Sequence, residues 1–296
     1  MNQLSIKQKA NAKINLYLHV TGKRDDGYHT LDSLVVFADI GDKISVTPNG
    51  ESGEISLVAT GPFAKDIPLD ENNLVIRAAK LLQQMYATNL GVNILLEKNL
   101  PPASGIGGGS ADAAATIRAL AELWKIDLSK KDQTEFNKTL ALNLGADVPV
   151  CMENKNVFMS GIGEILTTAP TLPPFWLVLV NSGSRVFTPD AFSGRKGDFS
   201  QTGKFDEQPA NVDELVTILS KRSNDLFTSA LDLAPEIQNV IGALQQQDGA
   251  LLVRMSGSGA TCFAIFANKR AAHGAAAKIA EKYPEWWVGA ARMALS

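Results

Sequence analysis

Twelve residues from Pro101 to Asp112 read PPASGIGGGSAD, and four of the five positions from 105 to 109 are glycine. Glycine tolerates positive φ and lets the backbone approach a ligand, so several N–H groups of such a loop can point at one anion. A strand-like run, Val92 to Glu97, feeds the loop, and the alanine-rich helical pattern AAATIRALAELW leaves it. The free N–H groups and positive dipole end of that helix favour a phosphate. Ser110 is placed either to cap the helix or to offer its hydroxyl to a phosphate or Mg2+. The pattern G-x-x-x-x-G-K-S/T is missing, and Ser110 stands where G-x-G-x-x-G needs its last glycine, which excludes the P-loop and dinucleotide fingerprints. No H-R-D or D-F-G set occurs, which excludes a protein kinase.

Phosphoryl transfer needs in-line positioning, charge neutralisation and an oriented hydroxyl rather than covalent help. Several residues could supply these. Alternation from Ala10 to Val20 puts Ala12, Ile14, Leu16, Leu18 and Val20 on one strand face and Asn11, Lys13, Asn15, Tyr17 and His19 on the other. Lys13 there is either a solvated edge cation or a cation beside a transferring group, and Asn15 either a surface amide or a hydroxyl-orienting one. Asp147, in LGADVP, lies past a helix end and before an extended Val-Pro segment; by itself it reads as a turn or cap residue. Tyr28 and His29 follow a glycine turn with no evident packing need for an aromatic ring. MSGSGAT, from Met255 to Thr261, is either a plain hairpin turn or a backbone support for the glycine loop. The three histidines lack metal-ligand spacing, so no zinc site built by the chain is expected.

These residues need elements to position them. The 296 residues suffice for two ordinary domains, and 45% hydrophobic with 20% charged residues is globular composition. A net charge of −3 and no basic run argue against a nucleic-acid partner, and no segment approaches a membrane span. Cys151 and Cys262 lie far apart in strand-like apolar contexts and read as reduced core thiols. MNQLSIKQKA has no signal-peptide character, so the expected setting is soluble and intracellular. LVVFADI, KISVT and EISLV read as strands of an antiparallel set. Helical spacing covers Asn73 to about Thr88 and Lys131 to Leu144, the latter stopped by Gly145. In the second half, strands at Trp176–Val180, ALLVRM, TCFAIFA and Trp286–Ala291 alternate with helical patterns at 213–221, 235–244 and 271–282. Residues 193–209 are polar with little to bury and read as a mobile loop.

P-x-x-x-G-x-G followed by small residues, from Pro101 to Ser110, resembles the phosphate loop of the GHMP kinase superfamily, and MSGSGAT resembles that superfamily's C-terminal glycine motif. AKINLYLHVTGKRDDGYHTL, LPPASGIGGGSADAA and LGADVP narrow the likeness to the branch whose acceptor is a cytidine diphosphate-linked methylerythritol. The likeness runs through nearly the whole chain. It implies an α+β fold of two domains: a mixed α/β ATP-binding and catalytic domain over residues 1–160, and a ferredoxin-like α/β sandwich over 161–296. It implies phosphorylation of the acceptor's 2-hydroxyl by ATP, in the non-mevalonate route to isoprenoid precursors, in a bacterial cytoplasm. Mg2+ would arrive with ATP, held mostly by phosphates and water.

Residue by residue, the resemblance makes Asp147 the catalytic base and Lys13 its partner, orienting the hydroxyl and stabilising transferring charge. Asn15 would position the same hydroxyl. Tyr28 and Phe192 would sandwich the cytosine, His29 would read its polar edge, and Thr188 would touch the substrate. Asn73 and Lys98, which alone read as surface positions, would lie around the adenine. The phosphates would meet Pro101, Pro102, Ala103, Ser104, Gly105, Ile106, Gly107, Gly108, Gly109, Ser110 and Ala111. Ala111 is a departure, because the family often carries a second serine there. Two rival readings are a homoserine- or mevalonate-type kinase, which needs no base-stacking pair, and a silent binding protein, which needs neither Lys13 nor Asp147. A monomer or weak homodimer is expected.

Overall fold

A computed structural model describes residues 5–294. The chain divides into two compact units, each drawing on separated stretches. The first takes residues up to 12, 41–102 and 107–153; the second takes 13–40, 103–106 and 154 onward. A division at residue 160 follows the chain, whereas compactness groups the residues in this interleaved way. Two long strands, β1 (Ile6–Lys23) and β2 (His29–Pro48), each contribute to both units.

In the first unit, the ladder order is β3 (Ile55–Thr60), β4 (Val92–Glu97), then β2. β4 runs antiparallel to β2, from Lys43↔Glu97 to Pro48↔Val92, but parallel to β3, so the sheet is mixed rather than wholly antiparallel. Val92, Ile94 and Leu96 are buried while Asn93 and Leu95 are exposed, the period-two pattern of a strand with one covered face. LVVFADI and KISVT are one continuous strand, because Gly41 is a close-approach glycine: a Cβ there would strike the Ala10 carbonyl.

α1 (Leu74–Met85) buries Val75, Ile76, Ala78, Ala79 and Leu82. α2 (Gly108–Leu123) buries a run of alanines whose small size lets it pack closely on α1. α3 (Gln133–Leu144) is capped by the Asp132 side chain and ends at Gly145, φ +120°. The following Val-Pro segment is not extended. Residues Val148–Glu153 form a short helix, α4, with Pro149 in its first turn, where a missing N–H costs nothing. Cys151 therefore lies on a helix, not a strand, and both thiols are free and buried.

In the second unit, β5 (Val157–Gly161) pairs antiparallel with both β2 and β6 (Ile165–Thr168). A second sheet holds β7 (Trp176–Asn181), β8 (Leu252–Met255), β9 (Cys262–Phe266) and β10 (Trp287–Arg292) in the order β10-β7-β9-β8, all antiparallel. Between β7 and β8 come α5 (Thr188–Ser193), α6 (Val212–Ser220), α7 (Phe227–Leu233) and α8 (Ile237–Gln245). α9 (Lys269–Lys282) joins β9 to β10. With its helices, this is the expected β-α-β-β-α-β ferredoxin-like arrangement.

Residues 193–209 carry little regular structure, but they do have something to bury. Phe205 is only 6% exposed and meets the Phe158 ring edge-on at 5.4 Å. Ser200 donates its N–H to the Val20 carbonyl at 3.0 Å, and Gly203 donates to the Asp32 carboxylate. Backbone bonds, invisible to hydropathy, tie the segment down.

Candidate active site

The expected half-solvated face of β1 is covered. Lys13 is 3% exposed and Asn15 and Tyr17 are fully buried, so these polar groups answer to fixed partners rather than water. The Lys13 N–H donates to the Ile106 carbonyl at 2.9 Å, binding β1 to the glycine loop. Two residues on, the Asn15 N–H donates to Ser256 Oγ at 3.1 Å and its side-chain Nδ2 to Ser33 Oγ at 2.7 Å. Its Oδ1 is buried with no hydrogen-bond partner, although buried acceptors are nearly always satisfied. Tyr17 donates to Asp32, and burial together with that carboxylate pushes its pKa well above the ordinary phenol value. His19 is structural: Nε2 accepts the Ser223 N–H at 3.2 Å, so Nδ1 carries the proton and donates to the Gln201 carbonyl at 2.8 Å.

Residues 103–106 lie against the SGSG turn. A Cβ on Gly105, φ +75°, would stand 2.5 Å from the Ser256 carbonyl oxygen, and one on Gly257 would stand 2.6 Å from the Gly105 carbonyl oxygen. The Thr261 N–H donates to Ser104 O at 3.0 Å, and Ser256 Oγ donates to Gly105 O at 3.1 Å. The turn is thus the backbone support for the loop, not a plain hairpin. Asn224 holds it from behind, donating to the Met255 and Gly257 carbonyls at 2.9 and 2.8 Å. Thr188 Oγ1 reaches the turn at Ser258 Oγ, 3.0 Å away. His29 stacks on Phe192, ring centroids 5.3 Å apart and planes 19° apart. Burial, with Lys23 and Arg195 nearby, lowers the His29 pKa, so the ring is neutral at pH 7. Tyr28 is 60% exposed, its ring free to receive a flat partner.

In the first unit, Gly107 sits at the cap position of α2 in the left-handed region, φ +64°. Ser110 is in the first turn and not the cap, which leaves its hydroxyl for other work. The N–H groups of Gly108, Gly109 and Ser110 open the helix without carbonyls a turn behind them. Asn73 caps α1, accepting the Val75 N–H at 2.9 Å. Lys98 is no surface residue. It is 2% exposed and pairs with Asp42 and, at 2.7 Å, with Asp112. A Cβ on Gly108 would stand 3.2 Å from its Nζ, so the lysine underlies the start of α2. Asp42 also accepts the N–H groups of Asn99 (2.5 Å) and Leu100 (2.8 Å). Burial works against the Lys98 charge, but Asp112 and Asp42 outweigh it and raise its pKa. Burial likewise pushes Asp112 up to about 8, with Lys98 pulling it down and Asp42 pushing it up. Asp147 immediately precedes α4, its carbonyl accepting the Cys151 N–H at 3.2 Å. The second unit thus brings together Lys13, Asn15, residues 103–106, Thr188, the SGSG turn and, on its own elements, Tyr28, His29 and Phe192. Asp147, Asn73, Lys98 and residues 107–111 belong to the first.

Residues 73–155 match the model of the GHMP kinases N terminal domain, and residues 206–285 that of the GHMP kinases C terminal. A 4-diphosphocytidyl-2-C-methyl-D-erythritol kinase of Cereibacter sphaeroides is 49% identical over 288 residues, covering 96% of this chain and 98% of the relative. One from Paramagnetospirillum magneticum is 45% identical, covering 98% and 99%. The chain belongs to the 4-diphosphocytidyl-2-C-methyl-D-erythritol kinase family. A crystal structure of 4-(cytidine 5'-diphospho)-2C-methyl-D-erythritol kinase superposes with a TM-score of 0.75 at 31% identity, covering 97% of this chain and 99% of that one. Homoserine kinase from Cytophaga hutchinsonii, at 17% identity and TM-score 0.72, shares the fold alone.

Membership makes the chain a kinase of GHMP type, with ATP as its phosphoryl donor. No helix among the described residues is long and apolar enough to cross a membrane. Sequence reasoning missed Asp42, Asp112, Asn224 and Asp32, all buried polar residues. The only available signal was an acidic residue inside a glycine-rich or apolar run, as in GSADAAA, where an unpaired carboxylate has no reason to be.

Proposed function

We propose that this kinase transfers the γ-phosphoryl group of ATP to the 2-hydroxyl of 4-diphosphocytidyl-2-C-methyl-D-erythritol. The observation that carries the reading is on β1: Lys13 is bonded to the glycine loop, and two residues on, on the same face, Asn15 presents a buried acceptor that nothing among the described residues satisfies. A substrate hydroxyl donating to Asn15 Oδ1 meets that vacancy and is oriented by it. That hydrogen bond then switches from Asn15 Oδ1 to Asp147, which takes the proton as the new O–P bond forms and ADP leaves. Lys13 offsets negative charge on the transferring group, which a loose transition state spreads over its oxygens. The free N–H groups opening α2 suit phosphate oxygens, and a Mg2+ ion brought with the nucleotide would supply charge neutralisation to the transfer. Ser110 is the chain's own candidate contact to either, and Ala111 offers none. Asn73 and Lys98 act at the adenine end as scaffolding, since both side chains are engaged within the protein.

The cytidine reading rests on the aromatic set. Tyr28, exposed, and Phe192 provide stacking faces, and the neutral His29 can exchange hydrogen bonds with a base edge. Thr188, held at the SGSG turn, lies among the substrate-facing groups. A homoserine- or mevalonate-sized alcohol has no use for these rings. ATP binding and the catalytic pair are assigned to residues 1–160 and a supporting role to 161–296. The kinase acts in the cytoplasm, as a monomer or weak homodimer, with no nucleic-acid or membrane partner.

ADP release from Mg·ATP decides the matter, with the cytidyl acceptor tested against homoserine and mevalonate. Release with the cytidyl compound alone is expected. Release with a control alcohol would discard the substrate, and no release from folded, ATP-binding protein would discard the catalytic reading.

A further inference from the structure

A second site lies at the far end of the helix pair that begins at the glycine loop. The first turns of α1 and α2 are neighbours, since a Cβ on Gly109 would touch Leu74 Cδ1 at 3.4 Å. Their C-terminal residues, Tyr86 and Trp124, line one open cavity of about 480 Å3 with Thr88, Ile126 and three lysines. The helices therefore run parallel. Their 12 and 16 residues put the cavity roughly 18–24 Å from the loop at ~1.5 Å per residue. That distance separates it from the ATP phosphates.

Two of its polar atoms are unmet. Tyr86 Oη and Trp124 Nε1 are both buried without a hydrogen-bond partner among the described residues. An indole N–H can only donate, and native proteins seldom leave such a donor orphaned. Burial first, and then Asp127, raises the Tyr86 pKa, so its hydroxyl keeps a proton to give. Lys125, Lys130 and Lys131 are exposed at the rim, and the Lys131 ammonium lies over the Tyr86 ring at 5.1 Å. The one carboxylate, Asp127, is occupied by the Ser129 N–H and hydroxyl, at 3.1 and 2.6 Å, with Lys130 3.7 Å away. Cations beyond two helix C-termini do offset the dipoles. That role leaves the two buried donors unanswered. A concavity with two aromatic walls, donors awaiting an acceptor and an excess of ammonium groups calls for a flat anion.

We propose that this cavity binds a small aromatic phosphate ester, its ring against Tyr86 and Trp124 and its phosphate oxygens on Trp124 Nε1, Tyr86 Oη and the Lys125 and Lys131 ammonium groups. Phenyl phosphate is the probe, titrated into the intact protein with ATP at saturation and followed by tryptophan fluorescence and calorimetry. One saturable site at or below about 1 mM is expected. Trp124→Phe keeps the ring and removes the donor, and should weaken binding by roughly tenfold, as for a hydrogen bond to a charged group. Lys125→Gln with Lys131→Gln, both at exposed positions that leave folding intact, should weaken it at least as much. Absence of saturation, or an affinity indifferent to both variants, would overturn the site. Equal affinity for inorganic phosphate or for benzoate would overturn the ligand class. The readout is binding with the nucleotide site filled, so the result stands or falls separately from the kinase reaction.

Discussion

Asp112→Asn is the most informative single change. Lys98 shares its one charge between two fully buried carboxylates, so the cluster carries one more acid than it has cations. Asp42 has an ammonium partner and two backbone N–H groups, whereas Asp112 has only the lysine, and its Oδ1 is unpartnered. The proton therefore rests on Asp112, whose carboxyl is pushed up to about 8 from an ordinary 3.8, chiefly by burial. A folded-state pKa above the unfolded one means that the folded protein binds the extra proton. This contribution is fully present below about 4 and is lost as pH rises toward 8. Integrated between pH 6 and pH 8, the loss is about 2 kcal/mol, at ~1.4 kcal/mol per unit with the titration flattening near its midpoint. Asparagine reproduces the shape of the protonated acid and cannot ionise. Urea midpoints at pH 6, 7, 8 and 9 should fall for the parent protein across that range. The variant should lack this fall and be the more stable of the two at pH 9. Curves that shift in parallel from pH 6 to pH 8 would refute the assignment of the proton to Asp112.

Asp147→Asn should lower turnover by about 10²-fold or more with ATP affinity unchanged, read by steady-state kinetics and nucleotide titration. Tyr28→Ala, at a 60% exposed position, should leave stability intact and raise KM for the cytidyl substrate by about 5- to 150-fold, the range of roughly 1–3 kcal/mol for stacking on a base. Gly105→Ala meets both a positive φ and a carbonyl 2.5 Å from the new methyl, so it should cost at least ~2 kcal/mol of stability and raise KM for ATP. Both thiols should resist Ellman's reagent until the protein is denatured, because both are buried and burial raises the Cys262 pKa further.

Local patterns carried most of the elements. β4 emerges with the predicted bounds because its alternation is strict, and α2 because a long alanine-rich run has no competing reading. Three readings failed where a residue has two uses. Pro149 was compatible with an extended segment and with the first turn of α4, and the backbone bonds from Val148 to Gly145 and from Cys151 to Asp147 distinguish them. LVVFADI and KISVT read as two strands, but they are one, with Gly41 inside it where Ala10 passes close. Residues 193–209 looked unanchored because backbone donors such as Gly203 N–H leave no trace in hydropathy. The candidate site was signalled by its glycines and by the polar face of β1. Lys98 was not, since its acidic partner Asp42 lies 56 residues away and only the folded sheet brings them together.

The interleaving of the two units bears on how this kinase can be cut or recombined. The chain changes unit between residues 12 and 13, 40 and 41, 102 and 103, 106 and 107, and 153 and 154. A fragment ending at 153 carries residues 13–40 and 103–106 without the remainder of their unit, and its complement lacks them. Neither half should fold when expressed alone. A hybrid joining the front of one relative to the back of another inherits strands from one parent and the groups they pair with from the other. Productive exchange between relatives would move residues 13–40 and 103–106 together with 154 onward, so the workable cassette is a three-segment transplant rather than a single splice.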